Sequence, residues 1–124
     1  MDKKQSLRAG LIGSGFAARF HVEALRRVYE ANVEIVGVYS PTASRRDEFA
    51  AQRNIKSFAS LDQLIDACDV LHVCSPPSAH EQNIIAALEA GKHCIVEKPF
   101  TGYFGDGTPE FNGHTFPREK GLEA

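Results

Sequence analysis

Short apolar runs alternate with helix-spaced apolar positions along this chain. Residues 7–12, 33–39, 70–74 and 93–96 are near-continuous apolar runs of strand length. That is the pattern of parallel strands buried on both faces. Residues 55–58 are a candidate for one more short strand. Between the runs, Phe20, Ala24 and Leu25 share one face at helical spacing, extended by Ala17 and Val28. After Ser40-Pro41-Thr42, the pattern Ser44-x-x-Asp47 predicts a helix to about residue 53, with Phe49 and Ala50 inward. Ser60 opens a short helix to about residue 67. Ser75-Pro76-Pro77 ends a strand, and Ser78-x-x-Glu81 predicts the next helix, with Ile84, Ala87 and Leu88 as its stripe. Gly91 is placed to close that helix.

This alternation predicts an α/β fold, a Rossmann-type doubly wound parallel sheet. Residues 1–100 form the expected dinucleotide-binding domain. Residues 101–124 carry Gly102, Gly105, Gly107, Pro109, Gly113, Pro117 and Gly121 with no apolar period, and read as loop or disorder. A complete dinucleotide fold has a further helix and a sixth strand. Neither shows in the pattern, so the sheet is expected to be incomplete at its carboxy-terminal end and the chain to be a fragment or to be completed by another chain.

The loop after the first strand reads Gly13-Ser14-Gly15-Phe16-Ala17-Ala18. Gly13 permits a sharp turn, Gly15 lets backbone approach a phosphate, and Ala18 allows close packing of helix on strand. The helix beginning there offers unpaired N–H groups and a partial positive charge to an anion. A dinucleotide pyrophosphate fits that offer, and an ordinary turn between strand and helix is the alternative. Ligands in such sheets bind beyond the carboxyl ends of the strands. The glycine turn, residues 40–46, residues 75–80 and Glu97-Lys98 are therefore expected to converge.

Composition narrows the function. The 124 residues are 43% apolar and 24% charged with net charge −2, which gives no reason to expect nucleic-acid or membrane attraction. No apolar run approaches the roughly 20 residues of a membrane span, and the polar start at residues 1–6 does not read as a signal peptide. Cys68, Cys74 and Cys94 are an odd set without CxxC spacing, as expected of reduced thiols in a cytoplasmic protein. Cys74 and Cys94 read as small core residues and His72 as a packed one. No ligand spacing indicates a metal.

Several motifs carry a family resemblance: Gly13-x-Gly15-x-x-Ala18 with His21, Cys74-Ser75-Pro76-Pro77-x-x-His80, Ala90-Gly91-Lys92-His93, and Glu97-Lys98-Pro99. Over about residues 7–100 the chain resembles the amino-terminal domain of the Gfo/Idh/MocA oxidoreductases. The resemblance implies NAD(P)-dependent hydride transfer at a carbon bearing a hydroxyl, on a sugar, cyclitol or related small molecule. It also implies a separate substrate domain, through which such proteins usually form homo-oligomers, and it implies that Lys98 lies at the active site. Oxidising an alcohol requires removal of the hydroxyl proton as hydride leaves. A lysine can take or share that proton, and an ammonium group stabilises a developing alkoxide.

The end of the second strand bears on the cofactor. NAD-binding versions usually place a carboxylate there for the ribose hydroxyls. This chain has Ser40, with Thr42, Arg45 and Arg46 just beyond. A 2′-phosphate meets no repelling charge there, and an arginine can pair with it bidentately. The expectation is NADP(H) in preference to NAD(H), with Arg45 or Arg46 on the phosphate. The alternative is that both arginines only coat a helix. Ser75, Pro76 and Pro77 are expected to wall the nicotinamide ribose. His80 either reaches the same cleft or is a surface histidine at a helix start. The rival reading of the whole chain is a regulatory or sensor module that binds a dinucleotide without catalysis. Lys98 argues for the enzyme.

Overall fold

The computed structural model describes residues 3–124. Met1 and Asp2, at the head of the polar amino-terminal stretch, lie outside the described residues. The central strand is β1 (Ser6–Ile12), followed by α1 (Phe16–Leu25), β2 (Asn32–Tyr39), α2 (Ala43–Arg53) and β3 (Lys56–Ser57). The chain continues with α3 (Leu61–Ala67), β4 (Val70–Val73), α4 (Pro77–Glu89), β5 (His93–Val96) and α5 (Arg118–Glu123).

The five strands lie in the order β3-β2-β1-β4-β5, and every pairing is parallel. From β1 the chain winds outward to β3, then returns to lay β4 on the other side of β1. The loops after β1 and β4 therefore leave the sheet in opposite directions and open a crevice between them. Right-handed crossovers put α1 and α4 on opposite faces. One face packs Ile12, Leu71 and Val73 against Leu64, Ile65, Ile84 and Ala87. The other packs Leu11 and Val38 against Ala18, Val22, Phe49 and Ala50.

Local chemistry moved several helix boundaries. The helix expected at Ser78 begins at Pro77, because proline's fixed φ and missing N–H suit the first turn; Ser78 makes no capping bond. The box at Ser44 does not form. α2 starts after Thr42, and the Asp47 carboxylate instead accepts from Ser57 Oγ at 2.5 Å. Ser60 does cap α3, its hydroxyl accepting from the Gln63 N–H. Gly91 has a φ of 74°, as its closing role requires.

The expected inner face of α1 needs correction. Ala18 and Val22 are its buried residues, and α1 ends at Leu25, short of Val28. Phe20 is 61% exposed. Phe20, Ala24 and Val28 instead border an apolar groove of about 830 Å³ over β4 and β5, floored by Val70, His72 and Ile95. In α4, Ile84 and Ala87 are buried but Leu88 is exposed. Beyond β5 the chain has no helix or strand until α5. Loop or disorder was expected to residue 124, so that short helix is also a correction. Tyr103, Phe111 and Phe116 pack their rings on one another before it.

Candidate functional site

The crevice at the carboxyl ends of β1 and β4 is a cleft of about 600 Å³. Gly13, Ser14 and Gly15 form one wall, with Ser40, Thr42 and Arg45 beside it; Ser75, Pro76, Ala79 and Asn83 face them. Backbone bonds set this spacing. Gly13 N–H donates to the Tyr39 carbonyl at 2.8 Å, and Cys74 N–H donates to the Ile12 carbonyl at 2.8 Å. Gly13 has a φ of 109°, and a Cβ there would stand 2.7 Å from Ser75 N, so only glycine fits where the two loops touch. Gly15 is the opposite case. A Cβ on it would meet nothing within 4 Å, leaving open room at the first turn of α1. That open turn fits a pyrophosphate, since the helix N–H groups there lack intrahelical partners. Phe16 does not line the cleft; it is 73% exposed and edge-on to Phe20. Ala17 packs half-buried against the core.

At the β2 end, Ser14 Oγ and Ser40 Oγ share a hydrogen bond of 2.9 Å. Arg46 turns inward: its Nε donates to Ser57 Oγ at 2.9 Å and its Nη1 to the Ser40 carbonyl at 3.1 Å. Arg45 lines the cleft and, among the described residues, has no hydrogen-bond or ion-pair partner. Arg19, Arg45, Glu48 and Arg53 rim an adjoining depression of about 300 Å³ beside Gly15. Burial and the neighbouring Arg19 and Arg26 charges pull the Arg53 guanidinium below its ordinary value. Arg19 is a member of this basic rim that the sequence reading did not single out. Its position one turn into the helix after the glycine loop was the available signal.

At the β4 end, α4 holds Ser75 twice. Ser75 Oγ donates to Asn83 Oδ1 at 2.6 Å, and His80 Nε2 lies 2.8 Å from the Ser75 carbonyl. His80 is 1% exposed and does not line the cleft. The surface-histidine alternative does not hold: His80 is a buried link behind the cleft wall, and its Nδ1 lies 2.8 Å from the Pro99 carbonyl. Pro76 lines the cleft directly, while Pro77 serves as the first residue of α4.

Glu97 and Lys98 follow β5 on the same rim but do not line the cleft. The Glu97 carboxyl is held below the usual carboxylate range, first by a hydrogen bond from His21 and then by the Lys98 backbone. His21 Nε2 lies 2.7 Å from Glu97 Oε1, and its Nδ1 lies 2.9 Å from His72 Nδ1. Burial, and secondarily His21, push the His72 imidazole down to about 4. Burial raises the thiols of Cys68 and Cys74 to about 11 and about 12. Neither is a nucleophile at neutral pH.

Residues 7–108 match the family described as Gfo/Idh/MocA oxidoreductases, NAD-binding Rossmann fold. The chain belongs to this family. It is 37% identical over 95 residues to a UDP-N-acetylglucosamine 3-dehydrogenase of Acidithiobacillus ferrooxidans, covering 77% of this chain and 29% of that protein. A solved structure of that dehydrogenase superposes with a TM-score of 0.70 at 34% identity, over 77% of this chain and 31% of that one. The chain is 39% identical over 92 residues to a glucose-6-phosphate 3-dehydrogenase of Bacillus subtilis, 74% of this chain and 26% of the relative. It is 38% identical over 85 residues to a D-xylose 1-dehydrogenase (NADP(+)) of Hypocrea jecorina, 63% of this chain and 22% of the relative. This family member thus spans under a third of the length of these relatives. Among its described residues, no helix is long and apolar enough to cross a membrane.

Proposed function

We propose that residues up to about 100 are the dinucleotide-binding part of an NADP(H)-dependent oxidoreductase. Its reaction moves hydride to or from a hydroxyl-bearing carbon of a sugar or cyclitol. The observation that carries the reading is the cleft itself: Gly13 backs onto Cys74 and Ser75, open space lies over Gly15, and a guanidinium without a protein partner stands at the β2 end. Bound there, the nicotinamide supplies the hydride chemistry. The protein's share is orientation and charge. The amino end of α1 faces the pyrophosphate, Ser75 and Pro76 wall the far side, and Lys98 acts on the substrate hydroxyl. The relatives are named for UDP-N-acetylglucosamine, glucose 6-phosphate and D-xylose, which supports a sugar-like substrate.

The cofactor preference rests on Arg45. Arg46 is bound to Ser57 and the Ser40 carbonyl, which leaves Arg45, with Arg19 across the depression, to pair a 2′-phosphate. Fluorescence titration of the 124-residue chain with NADPH and NADH tests this. Tighter NADPH binding is expected. Tighter NADH binding overturns the preference, and no binding of either overturns the reading. A longer polypeptide carrying this domain, assayed with NADP+ and a sugar and cyclitol panel, tests the reaction. Tight dinucleotide binding without turnover there would favour the sensor.

A further inference from the structure

Lys98 lies just beyond the last hydrogen bond that ties the edge strand to the sheet, from Glu97 N–H to the Val73 carbonyl at 3.0 Å. No strand ladder holds the backbone after that point. A lysine stem is long and flexible, and an amine that must meet a substrate within about half an ångström needs a fixed base. The residues on either side of Lys98 are each held by a histidine, and the two histidines come from opposite faces of the sheet. On one side His21 of α1 bonds the Glu97 carboxylate at 2.7 Å, whose other oxygen accepts from the Lys98 N–H at 3.2 Å. On the other side His80 of α4 bonds the Pro99 carbonyl at 2.8 Å.

Each histidine is braced from behind. His21 Nδ1 lies 2.9 Å from His72 Nδ1 in β4. His80 Nε2 lies 2.8 Å from the Ser75 carbonyl on the cleft wall. Both partners of His80 are carbonyl oxygens, which only accept, so the ring N–H donates to one of them according to the tautomer. The His80 ring therefore spans the wall beside the cleft and the turn that carries Lys98. It sets the distance between them.

We propose that His21 and His80 are positioning residues for Lys98, clamping the Glu97–Pro99 turn between α1 and α4. The functional meaning of the clamp rests on the reading of Lys98 as the active-site amine; the clamp itself does not. Side-chain amides separate the ring contacts. A glutamine places its nitrogen near a histidine's Nε2, and an asparagine near Nδ1. H80N keeps the tie to Pro99 and H80Q loses it; H21Q keeps the tie to Glu97 and H21N loses it.

Amide hydrogen exchange at Glu97 and Lys98, whose N–H groups bond the Val73 carbonyl and the Glu97 carboxylate, is the primary readout in the 124-residue chain. H80Q and H21N are expected to speed exchange there roughly tenfold, the scale of one lost hydrogen bond. H80N and H21Q stay within about twofold, and β1 and β4 amides are unchanged throughout. A second readout is the Lys98 side-chain Cε resonance on addition of NADP+. It shifts in the parent, H80N and H21Q, and shifts far less in H80Q and H21N. Unchanged exchange in both H80Q and H21N overturns the proposal. So does equal loss in all four variants, which is what a purely structural role gives. If one histidine variant fails to fold, the pair at the other position still decides. If the parent binds no NADP+, the proposed function fails while the exchange comparison still tests the clamp.

Discussion

Gly13 backs onto Cys74 so closely that a Cβ on it would stand 2.6 Å from the Cys74 carbonyl oxygen. The contact joins the loop after β1 to the loop after β4, and both line the cleft. Gly13→Ala adds that clash to the strain of a φ of 109°. We expect a loss of about 2 kcal/mol or more in urea unfolding, together with loss of NADPH binding by any fraction that still folds.

Arg45 is expected to account for the preference between dinucleotides. Arg45→Gln removes the free guanidinium without disturbing Arg46, whose bonds run to Ser57 and the Ser40 carbonyl. NADPH affinity should fall about tenfold or more, the scale of a charge-assisted bond to phosphate. NADH affinity should change little. Parallel fluorescence titrations measure both.

His72 makes stability depend on mild acid. Its folded value is about 4, below the ordinary 6.5, because burial disfavours the charged ring. Between those two values the unfolded chain binds a proton that the folded chain does not, so stability falls as pH drops from 6.5 toward 4. The loss should reach about 2 kcal/mol at about pH 5 relative to neutral. Urea unfolding at the two pH values measures it, and His72→Met should remove most of the difference.

Asp69 acts at lower pH and at the other end of the sheet. Its side chain accepts from Arg8 at 2.9 Å, and hydrogen bonds from the Arg8 side chain and backbone lower it from 3.8 to about 2. A depressed carboxylate contributes its stability above the unfolded value and loses it as pH falls through the folded one. The thermal midpoint of the parent should therefore fall more steeply between pH 3.8 and about 2 than that of Asp69→Asn.

The thiols give a chemical check on the core. Burial raises Cys68, Cys74 and Cys94 above the ordinary thiol value, to about 11 for Cys68 and about 12 for Cys74. Iodoacetamide near neutral pH should label Cys94, which is only half-buried, before the other two. Cys68, fully buried, should react at the rate of global unfolding. Peptide mass spectrometry resolves the order.

Much of the fold was legible because its signals are local. The runs at β1, β2, β4 and β5, the Ser60 cap and the closing glycine at Gly91 each depend on neighbours a few residues apart. Misread features depended on competition or distance. Pro77 outcompeted Ser78 for the start of α4, and Ser57 drew Asp47 away from a cap. Phe20 has the spacing of a core residue, yet α1 seats on the sheet through Ala18 and Val22 and leaves Phe20 over the open groove. Arg45 and Arg46 are adjacent and chemically alike in sequence. The positions of Ser57 on β3 and of the Ser40 carbonyl separate the bound guanidinium from the free one.

The order of strands and helices from β1 to β5, the glycine turn and the family motifs were determined by the sequence alone, since periodicity and steric permission act over a few residues. What the histidines touch was decided by the tertiary structure. His21 meets His72 and Glu97, and His80 meets Ser75 and Pro99, only because crossovers on opposite faces of the sheet bring α1 and α4 to the same strand end. Hydrogen bonds of that kind depend on ångström-scale placement between residues far apart in the chain, which no local pattern encodes.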